Sequence, residues 1–160
     1  MKIDFFLNDE KIEVEAEVEE SLFSILRKSG IKSVKNGCQK GTCASCVVLL
    51  DGKPVPSCSV KLCAVQGAKV TTLEGFAGTS DYADIAGGFR KAKIRPCQFC
   101  SAARILCVHE LLERNWRPSK EECEEFADSI HCACTEKGAF MDAIIYATAL
   151  RHARLGKRRS

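Results

Sequence analysis

The chain has 160 residues, 46% hydrophobic and 28% charged; this suits one medium globular domain or two small ones and is too short to enclose a bulky organic cofactor unaided. No run approaches the roughly 18 apolar residues of a membrane span, and Met1-Lys2-Ile3-Asp4 opens on an acid rather than an apolar stretch, so no span or secretory signal is expected and the expected compartment is the cytoplasm. The net charge is +3, but taking Arg151, Arg154, Lys157, Arg158 and Arg159 from 24 Lys+Arg leaves 19 against 21 Asp+Glu; the basicity sits in a tail expected to fray, and no basic face or module for nucleic acid stands out.

Residues 1–76 read as a β-rich unit. Ile3 to Leu7 predicts a strand, and Asn8-Asp9-Glu10 a turn. Beyond it Ile12, Val14, Ala16 and Val18 alternate with Glu13, Glu15, Glu17 and Glu19, a period of two that sends the apolar set inward. Ser21 can cap a short helix carrying Leu22, Ile25 and Leu26, and Gly30 can stop it. Val47–Leu50 and Lys53–Pro56 predict a hairpin about Asp51-Gly52, and Val70–Leu73 a last strand. Gly75, Gly78 and Ser80 mark the expected boundary.

Residues 77–160 read as helical. Tyr82 to Arg90 is a weak helix because Gly87 and Gly88 interrupt it. Ser101 to Asn115 places Ile105, Leu106, Val108, Leu111 and Leu112 on one broad face. Ser119 and Glu122 form a capping box for a helix to about Ile130. Ala139 to Leu150 is apolar on most sides and is expected to be central. No nucleotide loop, HExxH or Ser–His–Asp arrangement occurs, so no catalytic residue is expected on this chain.

Eleven cysteines without an expected secretory signal point to metal or redox chemistry rather than disulfides. The first set is Cys38-x4-Cys43-x2-Cys46, with Cys58 after eleven intervening residues. This is the plant-type ligand spacing for a [2Fe–2S] cluster. Gly37 and Gly41 supply the backbone freedom of a loop wrapped on a compact core, and its N–H groups can point at sulfur. Zinc, or thiols buried as small hydrophobes, are the competing readings. The second set is Cys97-x2-Cys100, then Cys132-x-Cys134 after thirty-one residues. Spacing alone allows iron–sulfur, unligated thiols, or zinc held by four thiolates or by three with His131. Cys100 precedes a helix, whose positive end is expected to favour its thiolate. Cys63, Cys107 and Cys123 read as inert thiols, and His109 and His152 as isolated side chains.

The two sets in this order resemble the small iron–sulfur subunit of molybdenum hydroxylases, the xanthine dehydrogenase, aldehyde oxidase and carbon monoxide dehydrogenase family. SVKNGCQKGTCASCVVLLDGKPVPSC, residues 33–58, and VTTLEGF, residues 70–76, are similar to its first-cluster segment and closing strand. The resemblance implies an α+β chain: a β-grasp plant-type ferredoxin domain, then a four-helix domain, each with one [2Fe–2S] cluster. It implies that Cys38, Cys43, Cys46 and Cys58 ligate the cluster nearer a flavin, and Cys97, Cys100, Cys132 and Cys134 the one nearer molybdenum. It further implies partner chains bearing a molybdenum-pterin cofactor and FAD, with electrons passing between them through this chain.

Three departures stand out. Pro96 replaces the family's usual Gln, which contacts the pterin, and can donate no hydrogen bond; Gln98 is the candidate for that contact. Cys132-Ala133-Cys134-Thr135-Glu136 replaces Cys-Arg-Cys-Thr-Gly, and Ala44 stands where Gly is common. The rival readings are a free-standing ferredoxin-like carrier or redox sensor, and a zinc-stabilised module in the C-terminal half. A face apolar enough to exclude water when covered is expected beside each cysteine set.

Overall fold

The computed structural model describes residues 1–159, with side chains through Lys157. Strands β1, Lys2–Leu7, and β2, Glu10–Glu15, pair antiparallel, with Ile3 opposite Val14 and Phe5 opposite Ile12. Asn8 and Asp9 take φ of 50° and 70°, the tight hairpin turn that short polar side chains tolerate. β2 ends before the expected alternation does: Ala16 is buried, but Val18 is 63% exposed. The alternation is broken because the chain leaves the sheet to start helix α1, Leu22–Lys28. Its cap is as expected: the Ser24 N–H donates to Ser21 Oγ at 3.3 Å, and Gly30 follows the helix at φ +83°.

Strands β3, Val47–Leu50, and β4, Lys53–Pro56, form the second hairpin. Strand β5 is Lys69–Thr71, shorter than the expected Val70–Leu73. The Thr72 N–H goes to Asn8 Oδ1 at 2.8 Å instead of to a neighbouring strand, and Leu73 opens a single turn, α2, Leu73–Phe76. The mixed sheet runs β2-β1-β5-β3-β4, with β1 and β5 parallel. α1 covers one face through Leu22 and Leu26, which pack with Phe5, Val48, Leu62 and Val70.

Helices α3, Ser80–Lys91; α4, Ser101–Arg114; α5, Lys120–Ser129; and α6, Lys137–Arg159, follow. The capping box at Ser119 and Glu122 is present in both directions. α3 is a full helix despite its glycines. A Cβ at Gly88 would lie 2.5 Å from the Ala143 carbonyl oxygen and 2.6 Å from the Ala147 nitrogen. Gly88 is therefore where α3 and α6 make backbone contact, a packing position rather than a break. Phe140, Ala143, Ile144 and Ala147 of α6 are buried, as its apolar sequence predicts.

The expected fraying of the basic tail is not found. α6 continues through Arg151 and Arg154, whose partners lie far back in the chain. Arg154 donates to Asp84 at 2.7 Å and pairs with Asp81; Arg151 donates to the Leu112 carbonyl at 2.7 Å and pairs with Glu113. The expectation for Ser160 and for the side chains of Arg158 and Arg159 lies outside the described residues.

β3 joins the two halves. Val48 belongs to the α1 core, whereas Val47 and Leu49 pack with Phe76, Ile85, Leu106 and Phe140 in the helical core. Both faces of β3 are thus apolar and covered, as its unbroken Val-Val-Leu-Leu run requires.

Candidate metal centres

The first cysteine set is built mostly from its own loop. The Lys35 N–H donates to the Ser45 carbonyl at 2.8 Å and closes it. Glu74 anchors its approach, accepting the Lys32 and Ser33 N–H groups at 2.9 and 2.8 Å. Within the loop, Cys38 Sγ accepts the N–H groups of Lys40, Thr42 and Cys43, each at 3.3 Å. The Thr42 side chain and these three amides hold the Cys38 thiol down to about 5. Cys43 Sγ accepts the Cys38 N–H at 3.2 Å and contacts Ser45 Oγ at 2.7 Å. Cys46 is buried, which pushes its thiol up. The Ser57 N–H and hydroxyl donate to the Cys46 carbonyl at 3.1 and 2.8 Å, bringing Cys58 alongside.

The glycines have physical reasons. A Cβ on Gly37 would meet Ser45 Oγ and lie 2.5 Å from Cys43 Sγ; Gly41 has φ +77° and would run into Ser59 Oγ, beside Cys58. Ala44 holds φ +58°, a left-handed conformation that costs an alanine about 1 kcal/mol.

The second set converges from two helix junctions. Cys97 and Cys100 stand at the start of α4, where the Ser101 N–H donates to the Cys97 carbonyl at 3.0 Å. Cys132 and Cys134 lie on the loop between α5 and α6, which Lys137 braces through Asp128 at 2.7 Å and Glu124 at 3.2 Å. All four sulfurs lie within 4.8 Å of one another. The sulfur pairs Cys97–Cys100 and Cys97–Cys132 stand at 3.6 Å, and Cys100–Cys134 at 3.3 Å. His131 is exposed and outside this group, so a site of three thiolates with an imidazole is not assembled.

At Cys100, which precedes α4, burial acts against the helix end. Burial pushes its thiol up to about 12, against the opposing Arg104 guanidinium. Cys134 goes the other way: burial raises it, but the Thr135 hydroxyl and the Cys97 N–H outweigh that and leave it at about 6. Arg104 itself was not singled out by the sequence. It is 2% exposed, with Nε 3.3 Å from Cys100 Sγ and Nη2 donating to the Cys132 carbonyl at 3.2 Å. A signal existed: Arg104 is four residues after Cys100, on the same helix face, between residues of the apolar stripe.

The geometry fits an anionic metal core at both places. Each site offers four thiols, and at least one sulfur already accepts N–H donors. The second set is also compact enough for one tetrahedral ion, since thiolates at about 2.3 Å from zinc stand about 3.8 Å apart. The first set contains no three thiols within 4.8 Å among the described residues; two irons sharing four thiolates need a longer cage than one ion.

The remaining thiols lie apart. Cys63 is exposed, Cys123 is buried in the helical core, and burial pushes the Cys107 thiol up to about 12. Asp81, His109 and Glu113 also cluster, but Arg151 and Arg154 already pair with these carboxylates. Gln98 is exposed beside Cys97, and Phe99 is 50% exposed. Around Cys43 the exposed residues are Asn36, Gln39, Lys40 and Thr42. The expected apolar face is therefore not formed at the first loop, whose tip must leave its backbone amides for sulfur and carries polar side chains outward. Among the described residues no helix is long and apolar enough to cross a membrane.

Comparison with known proteins finds a match for each half of the chain. A 2Fe-2S iron-sulfur cluster binding domain family matches residues 5–74, and a [2Fe-2S] binding domain family matches residues 72–145. The nicotinate dehydrogenase small FeS subunit of Eubacterium barkeri is 31% identical over 146 residues, 91% of this chain and 93% of that one. The nicotine 6-hydroxylase small subunit of Paenarthrobacter nicotinovorans is 29% identical, over 91% of this chain and 88% of that one. Aldehyde oxidoreductase of Megalodesulfovibrio gigas is 33% identical, but the match spans only 15% of it. Among solved structures, a chain of quinoline 2-oxidoreductase from Pseudomonas putida 86 superposes with a TM-score of 0.85 at 29% identity, covering 98% of this chain and 97% of that one. Two [2Fe–2S]-binding domains in tandem, matched over nearly the whole length of such subunits, place this chain in the family of small [2Fe–2S] subunits of the molybdenum hydroxylases.

Proposed function

We propose that this chain relays single electrons between a molybdenum-pterin partner chain and a flavin chain or other acceptor, in the cytoplasm. The observation that carries the proposal is the pairing of two four-thiol sets, each the ligand pattern of one [2Fe–2S] cluster, with no catalytic constellation beside either among the described residues. When bound, the clusters supply reversible one-electron chemistry. In our reading Cys38, Cys43, Cys46 and Cys58 of residues 1–76 hold the flavin-side cluster, and Cys97, Cys100, Cys132 and Cys134 of residues 77–160 hold the molybdenum-side one. The polar loop around Cys43 suits a wet, polar contact. Phe99 and Gln98 beside Cys97 suit a drier interface, with the Gln98 amide taking the pterin contact that Pro96 cannot make. The four backbone amides on Cys38 and Cys43, and Arg104 on Cys100, offset the negative charge of the bound sulfur.

A free-standing carrier explains the first site but gives no reason for a second four-thiol set with an exposed aromatic beside it. The test is reconstitution. Isolated chain accepts electrons from dithionite yet hydroxylates no xanthine, nicotinate or aldehyde, and substrate-dependent reduction of its clusters begins only on mixing with a molybdenum chain. Cluster reduction by substrate in the isolated chain would overturn the proposal.

A further inference from the structure

Arg104 is among the largest fully buried side chains of the protein, at 2% exposed. Burying a guanidinium is costly unless an anion answers it. None of the ion pairs among the described residues includes Arg104. Its polar contacts are Nε to Cys100 Sγ at 3.3 Å and Nη2 to the Cys132 carbonyl at 3.2 Å. Its guanidinium carbon sits 4.3 Å from the centroid of the buried Phe140 ring, a stack that holds the fork in place without neutralising it. The anion is therefore at the second cysteine set or nowhere.

The position is specific. Arg104 spans the two segments that supply the ligands, α4 through Cys100 and the α5–α6 loop through Cys132. Among the described residues no guanidinium contacts the first set, whose sulfurs meet backbone amides, hydroxyls and one another. A neutral amide offsets charge with a dipole, whereas a buried guanidinium carries a full charge in a poorly screened place.

We propose that Arg104 is a fixed counter-charge to the second cluster, raising its reduction potential selectively and leaving the first cluster unaffected. The proposal rests on Cys97, Cys100, Cys132 and Cys134 holding a [2Fe–2S] cluster. Four thiolates and two sulfides already make such a cluster anionic, and reduction adds one electron and no proton. A cation beside a ligand sulfur favours the reduced form more than the oxidised one. Arg104 is a positioning residue in this role, since it acts through the ligands.

The test is a redox titration of the full chain followed by electron paramagnetic resonance, in which the first cluster of each molecule is the internal reference. Arg104→Gln keeps a hydrogen-bonding side chain and removes the charge; Arg104→Lys keeps the charge and removes the fork. The expected result for Arg104→Gln is a tenfold or greater shift of the second cluster's reduction equilibrium toward the oxidised form. That is 59 mV or more for a one-electron couple, with the first cluster unmoved. Arg104→Lys is expected to shift it less. A shift below tenfold in Arg104→Gln, or an equal shift in Arg104→Lys, overturns the proposal. Should Arg104→Gln fail to hold the second cluster, retention by Arg104→Lys supports the counter-charge, and loss from both overturns it in favour of a purely spatial role. If the wild-type chain shows one iron–sulfur signal and bound zinc, the cluster assignment itself fails, and the proposal with it. That result is distinguishable because it appears before any substitution.

Discussion

Cys38 Sγ is surrounded by three amides of its own loop, whereas Cys100 Sγ faces a guanidinium from the next helical turn and cysteines from a loop more than thirty residues away. The two sets are equally buried, each with one exposed and one buried thiol, but the first depends on backbone shape and the second on how helix ends meet. A cluster-binding loop made of local contacts tolerates rearrangement of the distant fold. A site assembled at helix ends inherits every change in helix packing. The two sites should therefore fail for different reasons, and substitutions far from sulfur can separate them.

The largest effect is expected at Gly88. A valine there pushes against the backbone of Ala143 and Ala147 and forces α3 from α6, an overpacking cost of about 3 kcal/mol. Gly88→Val should lower the thermal midpoint and remove the second cluster's signal while the first keeps its iron. Equal loss of both signals would mean that β3, which serves both cores, couples the two halves into one unit. Gly37→Ala is the reverse case. Its Cβ would crowd Cys43 Sγ and Ser45 Oγ, at a cost of about 1–2 kcal/mol confined to the loop. The first cluster should then load poorly, with iron content near half, and the helical core should melt as before. Ala44→Gly gives the smallest effect. Relief of the φ +58° alanine, less the greater freedom of glycine in the unfolded chain, should stabilise the first loop by about 0.5 kcal/mol. Slower release of the first cluster to a chelator reads it, with the second cluster's rate unchanged.

The same contrast explains what the sequence revealed. The first cysteine set is mostly local, so spacing and its flanking glycines outlined it; the turn at Asn8-Asp9 and the cap at Ser21 were legible from equally local signals of their own. The second set was legible as two cysteine pairs but not as a metal. Sulfurs 3.3–3.6 Å apart accommodate one tetrahedral ion as well as the edge of a cluster, and only the family match separates these. Gly87 and Gly88 read as helix weakness because the partner that needs their bareness is α6, more than fifty residues on. Arg151 and Arg154 read as a loose tail because Asp81 and Asp84 lie some seventy residues earlier. Arg104 escaped because a charge on an apolar stripe carries meaning only once its contact with the Cys100 sulfur is seen.

The claim that two differently built sites hold two [2Fe–2S] clusters meets its most direct test in metal analysis and electron paramagnetic resonance of anaerobically purified wild type, Cys43→Ser and Cys134→Ser. The account predicts about four iron atoms and no zinc in the wild type. It predicts about two iron atoms in each variant, with Cys43→Ser missing one reduced-state signal and Cys134→Ser missing the other. Two iron atoms with one zinc in the wild type, or the same signal missing from both variants, would contradict it.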